Sequence, residues 1–153
     1  MKIKIAAIGK EKSSSPTSQL YNSYIKRIPW KIEFKEFEEK KPLQEAQLIE
    51  KEGALLLDVV ADSDIVIVLD ENGKNLSSKE LAGQISKWQS DGNSSFVFLI
   101  GGACGHGDKV KKRANLLLSM GKLTWPHMLV RAMLAEQIYR VYTLLTGHPY
   151  HRE

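Results

Sequence analysis

The chain ends His148-Pro149-Tyr150-His151-Arg152-Glu153, and few hexapeptides hold so much chemistry. An imidazole takes a proton near neutral pH, a phenol ring stacks on a base, and a guanidinium holds a phosphate or an anionic oxygen. A frayed, solvated end is the plain alternative for any terminus. Two further stretches attract notice, Leu69-Asp70-Glu71-Asn72-Gly73 and Gly101-Gly102-Ala103-Cys104-Gly105-His106-Gly107. Glycines let a ligand approach the backbone and let amides turn toward it, although two tight turns would use the same residues. Gly102 and Gly107 have the spacing of a Walker A loop, but Asp108 stands where its lysine belongs. The dinucleotide pattern fails too, because Gly105 and Gly107 are followed by Val110. The loop can cradle a ligand and lacks the marks of a triphosphate or dinucleotide site.

Other chemistries find little support. His148 and His151 are three apart, with Pro149 between them and no compact third ligand, so no metal site is expected. Cys104 would need an activating base to act as a nucleophile, and His106 serves equally as a loop residue. No Gly-x-Ser-x-Gly elbow occurs. The net charge of +4 is unevenly placed: residues 104–131 hold six basic residues against Asp108 alone, leaving the rest near −1. A basic excess beside the glycine loop fits a polyanionic partner, or a solvated helix face.

The elements that must position these groups alternate along the chain. Residues 2–8 read as a strand ending at Gly9, residues 17–28 as a helix ended by Pro29, and 31–37 as a second strand. A helix over 43–60 follows Pro42. The run Asp-Ile-Val-Ile-Val-Leu-Asp over 64–70 suits a parallel strand covered on both faces. Ser77 and Glu80 form a capping box opening a helix with Leu81, Ile85 and Trp88 on one stripe. Residues 96–100 are a buried strand running into the glycines. A helix over 108–119 and a short strand over 122–125 are expected next. Pro126 then opens a long helix ending at Gly147, apolar on more than one face, which points to a subunit interface.

With 153 residues, 42% of them hydrophobic and 26% charged, the chain fits one domain over 1–153. No apolar run approaches a bilayer span, and Met-Lys-Ile-Lys-Ile alternates as a strand does, not as a signal-peptide core. A single cysteine makes no internal disulfide, so a cytoplasmic setting with no membrane is expected.

Taken in order, Leu69-Asp70-x-x-Gly73, Ile100-Gly101-Gly102-x-x-Gly105, Leu123-Thr124-x-Pro126-His127, Val130-Arg131, Glu136-Gln137-x-Tyr139-Arg140 and the terminal hexapeptide resemble one family. It is the ribosomal RNA large-subunit methyltransferase H family, of the SPOUT class, and the resemblance covers essentially the whole chain. Residues 10–62 carry few of its marks, and Cys104 and His106 depart from it. The resemblance implies an α/β fold with a mainly parallel sheet flanked by helices and a C-terminal trefoil knot. It implies a homodimer, S-adenosyl-L-methionine as cofactor, and methylation at N3 of a pseudouridine in large-subunit (23S) ribosomal RNA in the assembled ribosome. By that analogy Leu69, Gly101, Gly102, Gly105, Gly121, Lys122, Leu123, Thr124, Trp125 and Pro126 hold the cofactor. Arg131, Tyr150, His151 and Arg152 face the nucleotide, with His151 favoured by its chemistry as the base. A non-catalytic ribosome-binding or assembly factor with the same basic face is the alternative.

Overall fold

A computed structural model describes residues 1–151. Five strands form one sheet in the order β2-β1-β4-β3-β5, every neighbouring pair parallel. They are β1 (Lys2–Ile8), β2 (Lys31–Phe37), β3 (Ile65–Lys74), β4 (Ser95–Ile100) and β5 (Leu116–Leu118). The helices between them are α1 (Pro16–Ile25), α2 (Glu45–Leu57), α3 (Ser78–Ser90), α4 (Asp108–Arg113) and α5 (His127–Thr146), followed by one 3-10 turn at Pro149–His151.

The side-chain alternation of the strands divides the interior in two. Ile3, Ile5 and Ala7 of β1, with Ile65, Ile67, Phe96 and Phe98, pack under α1, α3 and α5. Ala6, Ile8, Val66, Val68, Val97 and Leu99 face the other way, onto Leu56 of α2 and Val110 of α4. Both faces are thus covered, which is why β3 and β4 read as unbroken apolar runs. Lys4, half-buried between Ile3 and Ile5, extends its Nζ to donate to Val59 O at 2.9 Å, just past α2.

Several expected elements form differently, among them the first helix, expected over 17–28, which spans Pro16–Ile25. The helix placed over 108–119 stops at Arg113, and Leu116–Leu118 becomes β5. Leucine is a good helix former, but tertiary context overrides propensity, and the free edge of β3 offers both a ladder and burial. Asn115 fixes the changeover: its amide donates to Val66 O and its Oδ1 accepts from Val66 N, both at 2.8 Å. The strand expected over 122–125 is a loop, folded back by the Trp125 indole, which donates to the Met120 carbonyl. The second helix begins at Glu45, with Gln44 at the N-cap position making no side-chain cap, and not directly after Pro42.

β3 also runs past its expected end at Asp70, with an irregularity between Leu69 and Lys74 where Lys74 pairs with Leu118. A Cβ on Gly73 would lie 2.6 Å from the Leu117 carbonyl, so the two backbones close up only because residue 73 is glycine. α5 runs the expected length and ends with Gly147 at φ 74°. Its Ala132, Leu134, Ala135, Ile138 and Val141 are buried within this chain, so much of its apolar surface is used on the sheet, α1 and α3.

Candidate functional site

In open parallel sheets ligands bind beyond the carboxyl ends of the strands. Here the ends of β3, β4 and β5 open into a cleft of about 580 Å³. Four parts of the chain wall it: residues 69–72, residues 100–106, Lys111 of α4, and the end of β5 with the following loop and the start of α5. Of the residues expected to hold a cofactor, Leu69, Gly101, Gly102, Gly105, Gly121, Leu123, Thr124 and Trp125 line it. Lys122 and Pro126 belong to the same loop but not to the lining.

The glycines are there for specific neighbours. A Cβ on Gly101 would fall 2.8 Å from Cε1 of His106, whose ring lies against the bare backbone. A Cβ on Gly102 would meet a carboxylate oxygen of Glu52 at 2.9 Å, on the α2 side and away from the cleft. Gly105 takes φ +78° and donates its amide to Gly102 O at 3.0 Å, closing a tight turn. Gly121, at φ +107°, exchanges hydrogen bonds with the Ser119 hydroxyl. Trp125 Nε1 donates to Met120 O at 3.0 Å, which folds the loop over, while Leu123 stays 73% exposed.

His106 Nε2 lies 3.1 Å from Leu69 O. A carbonyl only accepts, so this nitrogen carries the hydrogen. Burial holds the ring below its ordinary imidazole value, against the opposing pull of Asp70 and the Leu69 carbonyl. Asp70 accepts from the Asn72 amide and has Lys111 Nζ at 3.7 Å, so the cation nearest the glycine loop is already paired.

A clasp joins the cleft to β1 and β2. His127 lines the cleft and donates through Nε2 to Ile8 O at 2.7 Å. Arg131, one turn on and 3% exposed, donates to Ile8 O and Gly9 O at 3.1 and 2.8 Å and pairs with Glu36 of β2. Its guanidinium also sits 5.5 Å over the Phe34 ring. Arg131 therefore has its terminal nitrogens bound within the chain.

Tyr150 and His151 lie elsewhere. The Tyr150 ring packs 4.6 Å from that of Tyr139, and its hydroxyl donates to Glu136 at 3.0 Å. Burial, then the Glu136 carboxylate, pushes the phenol well above its ordinary value, so it stays protonated. His151 Nδ1 is buried with no partner among the described residues. Tyr139 is nine residues beyond Val130, the last α5 residue of the cleft, or about 14 Å along the helix. Tyr150 thus packs against the far part of α5, and neither it nor His151 lines the cleft. Arg152 lies outside the described residues.

The basic stretch is less free than its sequence implies. Arg113 Nη2 donates to the carbonyls of Ala61 and Asp64, both at 2.9 Å, and so staples the α2–β3 connection. Lys112 remains exposed. The charge pattern alone hides this, as it hides the roles of His106, His127 and Glu36, whose partners are distant in sequence. Among the described residues no group of three or more His, Cys, Asp or Glu is placed to hold a metal ion, and no helix is long and apolar enough to cross a membrane.

A parallel sheet with a glycine-lined cleft at its carboxyl ends defines a class, and the family model described as predicted SPOUT methyltransferase matches residues 1–151. Relatives named ribosomal RNA large subunit methyltransferase H share 48% identity in Paramagnetospirillum magneticum, 42% in Rhodospirillum centenum and 39% in Rhodospirillum rubrum. Each alignment covers 99% of both chains. The chain belongs to this family, the ribosomal RNA large subunit methyltransferase H branch of the SPOUT methyltransferases.

Proposed function

We propose that the chain transfers a methyl group from S-adenosylmethionine to N3 of a pseudouridine in large-subunit ribosomal RNA, in the assembled ribosome. The names of its relatives supply the RNA and the reaction class. The observation that carries the cofactor is the cleft: bare glycine backbone on one wall, a folded loop on the other, and its one lysine paired to Asp70. Such a site suits a nucleoside bearing a cation better than a polyphosphate, which needs unpaired cations or a run of free amides.

Leu69, Gly101, Gly102, Gly105 and residues 121–126 would enclose the cofactor, which supplies an electrophilic methyl group. The protein must hold the two reactants in line and deal with the imide proton of the base. We assign proton removal to His151, base stacking to Tyr150, and stabilisation of the resulting anion to Arg152. Arg131 is assigned to positioning: with Glu36 and His127 it fixes the end of β1 beside the cleft.

The seating of Tyr150 and His151 away from the cleft of their own chain supports a homodimer in which each tail serves the partner's cleft, and the trefoil knot of the family belongs to the same proposal. Calorimetry with S-adenosylmethionine and with ATP, beside tritium transfer from labelled cofactor to ribosomes, tests the reading. Binding of the first ligand only, with label in large-subunit RNA, is expected. Ribosome binding without cofactor binding would make the chain an assembly factor instead. Sedimentation should report twice the monomer mass. Mixing inactive Gly101→Val and His151→Ala chains should restore part of the activity if sites are shared.

A further inference from the structure

His106 is the cleft residue with the most unusual surroundings, and the reaction outlined above gives it no part. Its ring bridges two strands where their pairing stops, resting on Gly101 just past β4 and donating to Leu69 O, the last β3 residue paired with β4. It lines the cleft beside Cys104 and Gly105. The charged groups facing it are Asp70 from β3 and Lys111 from α4, which are 3.7 Å apart and offset each other. Glu52 of α2 lies one residue along, beneath Gly102. The wall around the ring is therefore close to neutral as long as the ring itself is neutral.

We infer that His106 is a positioning residue for a sulfonium cofactor: its neutral ring ties the two strand ends together, and its protonation expels the cofactor by adding a positive charge to the wall. The inference rests on the cofactor reading above. Two features of the ring have separate consequences. The Nε2–H bond to Leu69 O is a structural tie that any neutral donor of similar reach can replace. The charge is a property of the imidazole alone. Protonation leaves Nε2 a donor, so the tie survives acid while the charge appears. Burial already disfavours that charge, so the neutral ring prevails at neutral pH and the effect belongs to acid conditions, below the ordinary imidazole value of 6.5.

The natural control is the demethylated product, S-adenosylhomocysteine. It has the same adenosine and amino-acid parts, and its thioether is uncharged. Two like unit charges held in one site, at the effective dielectric of a protein surface, weaken binding by roughly tenfold or more. Protonation of His106 should therefore weaken S-adenosylmethionine by about that factor and the product much less.

The test is calorimetry of both ligands between pH 5 and 7.5 on the full chain, with circular dichroism and a thermal melt of each variant at each pH. In the native chain the affinity ratio of cofactor to product should fall on acidification. His106→Gln, whose amide can still donate to Leu69 O, should bind both ligands normally at pH 7.5 and hold a constant ratio throughout. His106→Leu, lacking the donor, should bind both more weakly at every pH, again with a constant ratio. A ratio that falls equally in the native chain and in His106→Gln overturns the inference, as does a native ratio that never changes. Absence of binding by the native chain at pH 7.5 would instead bring down the cofactor reading itself.

Discussion

Removing the Glu36 carboxylate should expose how much the molecule depends on the clasp at the end of β1. Arg131 is 3% exposed and Glu36 is its anionic partner, with a side chain 25% exposed. Breaking a buried ion pair by deleting one member costs roughly 3–5 kcal/mol, because the remaining charge is left uncompensated. Two features reduce that figure. Water reaches part of Glu36, and the guanidinium keeps its bonds to Ile8 O and Gly9 O. Glu36 also accepts from the Glu11 amide at 3.0 Å, so the same change frees the loop after β1. For Glu36→Ala we expect a loss of about 2–3 kcal/mol in urea unfolding. At roughly 2–4 °C per kcal/mol for a domain of this size, Tm should drop by about 4–12 °C. Glu36→Gln, which keeps an acceptor and loses the charge, should fall between. A Glu36→Leu, Arg131→Met double variant should recover part of the loss, since apolar replacements need no compensation. Because His127 and Arg131 share Ile8 O, cofactor affinity should decline in Glu36→Ala as well. Stability within about 0.5 kcal/mol of the native chain would refute the clasp.

Glu52 is 9% exposed, its Oε1 has no partner among the described residues, and burial raises its carboxyl above the ordinary 4.5. The folded chain therefore holds that proton more tightly than the unfolded one, and stability declines as pH rises from about 4.5 through the raised value. Glu52→Gln should remove this slope and raise Tm at pH 7; an unchanged pH profile in thermal melts would count against it. Lys112→Ala should weaken ribosome binding and flatten its salt dependence at constant Tm, whereas Arg113→Ala, which loses carbonyls of Ala61 and Asp64, should lower Tm by a few degrees. The reverse pattern in filter binding and melting would invert the two assignments. His151→Ala should lower turnover at least roughly a hundredfold while sparing cofactor affinity, as a proton acceptor acts mainly in the transition state. Full-rate tritium transfer by that variant would remove the residue from the reaction.

How far the sequence reaches depends on the range of the interaction that decides each feature. Periodicity finds β1, β3, β4, α3 and α5, because local pattern and burial agree there. It misplaces residues 114–118, where three leucines suit a helix as well as a strand. The choice falls to Asn115 and the open edge of β3, about fifty residues away. The cleft is foreseen wherever backbone shape makes it, since a glycine such as Gly105 declares its own conformation. The clasp is not foreseen, because Arg131 finds Glu36 across ninety-five positions and nothing near either residue announces the other. The tail lies between these cases. Its composition marks it for chemistry, yet its docking on Tyr139 and Glu136 is visible only in three dimensions. Those contacts change what deletion can test: Tyr150 packs against the core, so truncation from Tyr150 would remove structure along with chemistry. The same packing seats Tyr150 on Tyr139, about 14 Å of helix beyond Val130, the last α5 residue of the cleft. Under the proposed assignment, Tyr150 and His151 reach a cleft only if they undock or if a second chain brings its own. Undocking costs the Tyr150 bond to Glu136 and its packing on Tyr139, whereas a two-fold arrangement keeps every one of these contacts in place.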